Sequence, residues 1–133
     1  MTLSARRGPW TPWGRADHVE RLARGVVRYD TPGHGGYHLS ARCNAAVHPA
    51  LRRVGGWYEE DVDWAVVALT RPELFDATAI DAAQQTLKNY RPDGYTAATG
   101  EPVDPAESYV LRARAFRAAH AHDWVVVSAC GEW

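Results

Sequence analysis

The chain is poor in sulfur, with Cys43, Cys130 and a single methionine in 133 residues. The two cysteines lie far apart and lack CxxC spacing. That excludes a disulfide framework or cysteine-rich zinc site and points to buried free thiols in a reducing, cytoplasmic setting. Long apolar runs are also missing, since nothing approaches the roughly 18 apolar residues of a membrane span. The opening MTLSARRGPW has arginines but no apolar h-region, so no secretory leader is expected. The phosphate-loop patterns GxGxxG and GxxxxGK[ST] and the nucleophile elbow GxSxG are absent, and no cofactor is expected. Lysine is nearly absent, with fourteen arginines against Lys88 alone. A near-neutral pI of about 6.6, with no continuous basic stripe interleaved with aromatics, argues against nucleic acid as a partner.

Six tryptophans and six tyrosines supply large apolar surfaces, enough for one core in a single domain spanning 1–133. The charge is polarised along the chain. Residues 1–56 carry nine arginines against three acids, a balance of +6, whereas residues 57–110 carry three bases against eleven acids, a balance of −8. Such asymmetry marks either two halves that neutralise each other across the fold or an acidic face offered to a basic partner.

The prolines and glycines of GPWTPWG predict an irregular arm over 1–14, anchored by Trp10 and Trp13. HVERLARG and VVRYDT read as two strands around Gly25, the second with clear period-two alternation. After the PGHGG turn, YHLS completes a small meander. SARCNAAVHPALRRVGG reads as a broken helix, interrupted at Pro49. WYEEDVDWAVVALT reads as a helix with Val62, Ala65, Val66 and Leu69 on one stripe, ending before Pro72. Asp76 is expected to cap a helix buried through Ile80, Ala83, Leu87 and Tyr90. Residues 91–104 read as a long loop. Asp104, with Pro105 and Glu107, is expected to cap a last helix carrying Tyr109, Ala113, Phe116 and His120 on its apolar stripe. The closing DWVVVSACGEW is strand-like and expected to return to the N-terminal sheet. The predicted fold is α+β: a small antiparallel sheet of three N-terminal strands plus the C-terminal strand, packed on three to four helices.

Three stretches carry candidate chemistry. In TPGHGGYHLS, His34 and His38 would lie about 13 Å apart in an extended chain, too far to chelate one ion, and Gly35–Gly36 disfavours a helix that would bring them closer. No metal site is expected from this pair. The glycines at 33, 35 and 36 are read as turn formers with positive φ. In WYEEDVDW, Glu59, Glu60, Asp61 and Asp63 place four carboxylates in five positions. Helix-start electrostatics explains one or two of them; the rest suit a cation, an arginine, acid–base work or a partner surface. In AHAHDW, His120 and His122 beside Asp123 form at most half of a relay and read as the end of a helix.

The sequence TPWG at 11–14, GHGGYHLS, NAAV…ALR and GGWYEED at 55–61, taken in that order, resembles a family of uncharacterised small domains encoded on bacterial plasmids, prophages and phages. The resemblance covers residues 11 to about 90, together with DWVVVSACGEW. It implies no activity, only a setting in which accessory proteins act on host defence or replication. The leading expectation is thus a non-enzymatic accessory protein that binds a protein partner, for example to inhibit CRISPR or restriction. Its surface would comprise Trp57, Tyr58, Glu59, Glu60, Asp61, Asp63 and Trp64. The alternative is a small hydrolase or transferase, metal-dependent or not, that joins His34 and His38 to Glu59, Glu60 and Asp61. It requires His34 and Glu60 to share one site.

Overall fold

The computed structural model describes residues 8–122. It is α+β: a two-stranded and a four-stranded antiparallel sheet with five α-helices among those residues. β1 (Trp10–Thr11) and β2 (Gly14–Arg15) form a short hairpin, so the supposedly irregular arm is in part ordered. Thr11 Oγ1 donates to the Gly14 carbonyl at 2.8 Å, and Gly14 takes φ 121°, the geometry that lets the chain reverse there. The meander follows as expected, with β3 (His18–Ala23), β4 (Val26–Asp30) and β5 (Gly35–Leu39). Alternation along β4 and β5 sends Val26, Tyr37 and Leu39 into the core.

The fourth strand is β6 (Trp57–Glu59), which pairs antiparallel with β5 to give the order β3-β4-β5-β6. This corrects the reading of WYEED as a helix start. The aromatic pair Trp57–Tyr58 prefers a pleated, half-buried surface, and Tyr58 fills the core from the strand. The expected C-terminal strand lies outside the described residues.

The helices cover one face of the sheet. After α1 (Ala41–Ala45), α2 (Trp64–Thr70) runs between the sheet and α3 (Ala77–Tyr90). Its Ala65, Val66, Val67 and Ala68 are all buried, so α2 is covered all round instead of showing one stripe. Asp76 caps α3 as expected, its carboxylate accepting from Ala79 N at 2.8 Å, and Ala83 and Leu87 are buried. Tyr90, by contrast, is 49% exposed.

Residues 91–104 are not a long loop. Pro92 opens α4 (Pro92–Thr99), Gly100 closes it at φ 79°, and Tyr95 packs into the core with its hydroxyl on Glu101 at 3.1 Å. Proline at the first helical position and glycine just past the last are helix signals that resemble loop composition. Asp104 caps only the 3-10 turn Pro105–Glu107, and Ser108, fully buried, caps α5 (Tyr109–Ala119) through Leu111 N. The expected stripe of α5 is not covered among the described residues: Tyr109 is 56% and Phe116 51% exposed. His120 does end that helix. Cys43 is a free, half-buried thiol, and Cys130 lies outside the described residues. No described helix is long and apolar enough to cross a membrane.

Candidate functional site

The β5–β6 pairing builds the site. The register sets Gly36 against Glu59, and Glu60 N donates to the Gly35 carbonyl at 2.9 Å. Continuing that antiparallel register beyond the strands carries His34 alongside Glu60 and Asp61. The glycines make this possible, but not through positive φ, which none of Gly33, Gly35 and Gly36 adopts. A Cβ on Gly36 would strike the Tyr58 carbonyl and the Trp13 ring. Close approach of two strands and an indole therefore explains that glycine. Thr31 holds the His34 backbone from both sides. Its hydroxyl donates to the His34 carbonyl at 2.6 Å and accepts from His34 N at 3.1 Å.

Three carboxylates surround the imidazole. His34 Nδ1 lies 3.2 Å from Glu60 Oε2, and Nε2 lies 3.7 Å from Glu59 Oε2 and 4.0 Å from Asp61 Oδ2. One donor atom each of His34, Glu59 and Asp61 falls within 4.8 Å of the others. The Glu59 carboxylate is itself fixed by the turn, accepting from Asp61 N at 2.6 Å, Val62 N at 2.7 Å and Asp63 N at 2.8 Å. Burial pushes its carboxyl up, but those three N–H groups and His34 outweigh that effect and hold it below the ordinary range. Glu59 thus both caps the turn before α2 and presents a firmly ionised group.

His38 does not join this site. β5 runs extended between the two histidines, and His38 stacks on Trp57 at 4.4 Å, with Nε2 3.1 Å from the Gly55 carbonyl. Trp57 also meets Trp13 and Tyr29, forming a half-buried aromatic row on the sheet face away from the helices. Two of the residues expected on a binding surface are interior. Tyr58 is fully buried, donating to Asn44 Oδ1 at 2.5 Å and accepting from Arg53 N at 3.0 Å. Asp63 is 7% exposed and takes two bonds from Arg53, at 3.1 and 3.0 Å. A strand buries alternate residues, and a buried carboxylate is retained by paired arginines. Neither side chain is offered to a partner.

Glu60 links the histidine to a cleft of about 280 Å³ lined by Arg28, Gly36, Tyr37, Glu60, Trp64, Phe75 and Ala79. Arg28 is tied there by Nε to Asp30 at 3.3 Å and by Nη1 to the Tyr37 hydroxyl at 3.4 Å. Sequence reasoning missed Thr31, Arg28, Tyr37 and Phe75 as neighbours of the site. The period-two alternation of β4 and β5 placed Arg28 and Tyr37 on one face, but nothing local placed α2 and Phe75 over it.

A family model described as "Domain of unknown function (DUF7007)" matches residues 6–121. The chain belongs to this family. No curated protein and no solved structure matches it. The DUF7007 match spans β1 through α5 and so includes every residue of the site just described.

Proposed function

We propose that this DUF7007 protein binds a divalent cation through His34 Nε2, Glu59 and Asp61 and uses it in a hydrolytic or group-transfer reaction. The observation that carries the reading is the convergence of those three donor atoms within 4.8 Å of one another. Bonds of about 2.1 Å in tetrahedral geometry put neighbouring ligands about 3.4 Å apart; the two gaps from His34 Nε2, 3.7 and 4.0 Å, are close to that, and no gap exceeds 4.8 Å. Glu60 on Nδ1 is the partner that a metal-bound histidine ordinarily has: it fixes the tautomer and turns Nε2 towards the ion. A cation here would polarise a carbonyl or phosphoryl oxygen and would make a water a nucleophile at neutral pH.

The test is calorimetric titration of the chelator-treated protein with Zn²⁺ and Mn²⁺, followed by turnover of p-nitrophenyl esters and phosphodiesters. His34→Ala and Asp61→Asn should each weaken binding at least tenfold and abolish metal-dependent turnover. Equal affinity in wild type and both variants would refute the site.

A second reading is favoured by the exposure of Glu60 and Asp61 and by the −8 balance of residues 57–110. In it the protein is a mobile-element accessory factor whose acidic rim contacts a protein and blocks a defence system such as CRISPR or restriction. Glu60→Ala/Asp61→Ala should then lose a partner captured by the wild type while metal affinity becomes irrelevant to capture.

A further inference from the structure

The cleft beside His34 has a composition that points to its occupant. Tyr37, Trp64 and Phe75 supply an apolar wall of three rings, with Phe75 touching both others: Tyr37–Phe75 centroids lie 5.8 Å apart and Trp64–Phe75 6.3 Å apart. Ala79 and Gly36 complete the lining without adding a polar side chain. The polar groups are near one another, with Arg28 on both Asp30 and the Tyr37 hydroxyl. A Cβ placed on Gly35 would be 3.1 Å from both Asp30 Oδ1 and Glu60 Oε1, so these carboxylate oxygens are no more than twice that distance apart.

The sign of the local charge decides between ligand classes. The only cation lining the cleft among the described residues is Arg28, and it is already engaged by Asp30, the Tyr37 hydroxyl and the Tyr37 ring face at 5.7 Å. Glu60 is the one carboxylate in the lining; Asp30 lies behind Arg28, and Glu59 and Asp61 stand at the His34 ring, so the neighbourhood of the cleft holds four carboxylates and one guanidinium. Loading a divalent ion at His34 would reduce this imbalance without reversing it. An anionic ligand would meet this acidic surround, and a purely apolar one would cover Glu60, whose part-exposed carboxylate has only the His34 ring beside it, without offering it a cation.

We propose that this cleft receives the basic side chain of a protein or peptide, its alkyl stem against Trp64 and Phe75 and its charged head on Glu60. The stem of a lysine or arginine is apolar and its head strongly polar, so it matches a slot with an aromatic wall and a carboxylate in its lining. The proposal rests on the reading that the His34 centre is the working site, and it names that site's substrate class as a basic peptide. The head would lie beside Glu60, 3.2 Å from the His34 ring, which puts the neighbouring peptide within reach of the centre.

The test uses three short capped peptides with a central lysine, norleucine or glutamate, titrated into the whole protein with and without Zn²⁺. The readout is the Trp64 indole resonance, assigned through Trp64→Phe. The lysine peptide should shift that resonance saturably and bind at least tenfold tighter than the norleucine and glutamate peptides. Glu60→Gln should cost about tenfold in lysine-peptide affinity, and Ala79→Leu, which fills the slot without touching the charge, should abolish the shift. Equal binding of lysine and norleucine peptides, or no saturable shift in a folded protein, would overturn the proposal. Because the titration is run both with and without Zn²⁺, failure of the metal reading leaves this result interpretable. Metal binding without peptide binding would reject the cleft alone.

Discussion

Asp63→Asn separates a structural acid from the carboxylates proposed to serve the His34 centre. Asp63 is 7% exposed and accepts from Arg53 Nε at 3.1 Å and Arg53 Nη2 at 3.0 Å, and Arg91 Nη1 lies 3.6 Å away. That last contact is an ion pair too long for a hydrogen bond, and Arg91 Nη1 is buried with no hydrogen-bond partner. Burial, and then the neighbouring Arg53, push the Arg91 guanidinium below its ordinary value, so Asp63 is what compensates it. At 3.6 Å and an effective dielectric near 20, the Arg91 attraction is at most about 4–5 kcal/mol. Each charge-assisted bond adds roughly 1.5–3 kcal/mol before screening. The Arg53 side chain is 48% exposed and recovers water when its partner changes, so its share is discounted. The loss falls mainly on Arg91, and the expected destabilisation is about 2–4 kcal/mol, on the order of 10 °C in Tm. Urea unfolding followed by tryptophan fluorescence measures it. A second replacement, Arg91→Met, should recover part of the loss by removing the uncompensated charge. The reasoning fails if Asp63→Asn unfolds within about 0.5 kcal/mol of wild type, the range of an ordinary surface change.

Other perturbations follow from the same geometry. Tyr58→Phe removes a hydroxyl that satisfies both Asn44 and the Arg53 amide, and should cost about 1.5–3 kcal/mol in chemical denaturation. Gly36→Ala forces the β5–β6 pair and Trp13 apart, an overpacking cost of roughly 1–3 kcal/mol. Its signature beyond stability is loss of the Trp13–His34 contact, read from the Trp13 indole resonance. Glu59 has a folded pKa depressed below its ordinary 4.5, so its contribution is present above that value and lost as pH falls through the lower folded one. In chelator, wild type should therefore lose stability relative to Glu59→Gln as pH falls from about 5 through the depressed folded value; parallel pH profiles would contradict the capping role.

Much of the fold is legible locally. The strands at 18–30, the return after PGHGG, and the Asp76-capped helix follow from alternation, a glycine turn and a cap. Errors arise where two structures share one composition. RPDGYTAATG reads as loop because its proline and glycine are breakers, yet placed at the two ends they are helix delimiters. WYEED reads as a helix start because acids favour that place, yet Trp57 and Tyr58 find a better environment beside β5.

The candidate site divides along the same line. The sequence by itself determined the inventory: a histidine among glycines, a dense run of carboxylates, and an acidic middle against an arginine-rich start. These are properties of residue type and order, and no fold can alter them. Only the tertiary structure decided which carboxylates reach the histidine. The β5–β6 register brought Glu59, Glu60 and Asp61 to His34, whereas strand alternation and the Arg53–Arg91 pair drew Tyr58 and Asp63 inside. Register is a long-range quantity, set by which side chains can be buried together, and 24 residues of chain lie between the histidine and the first of its acids, Glu59.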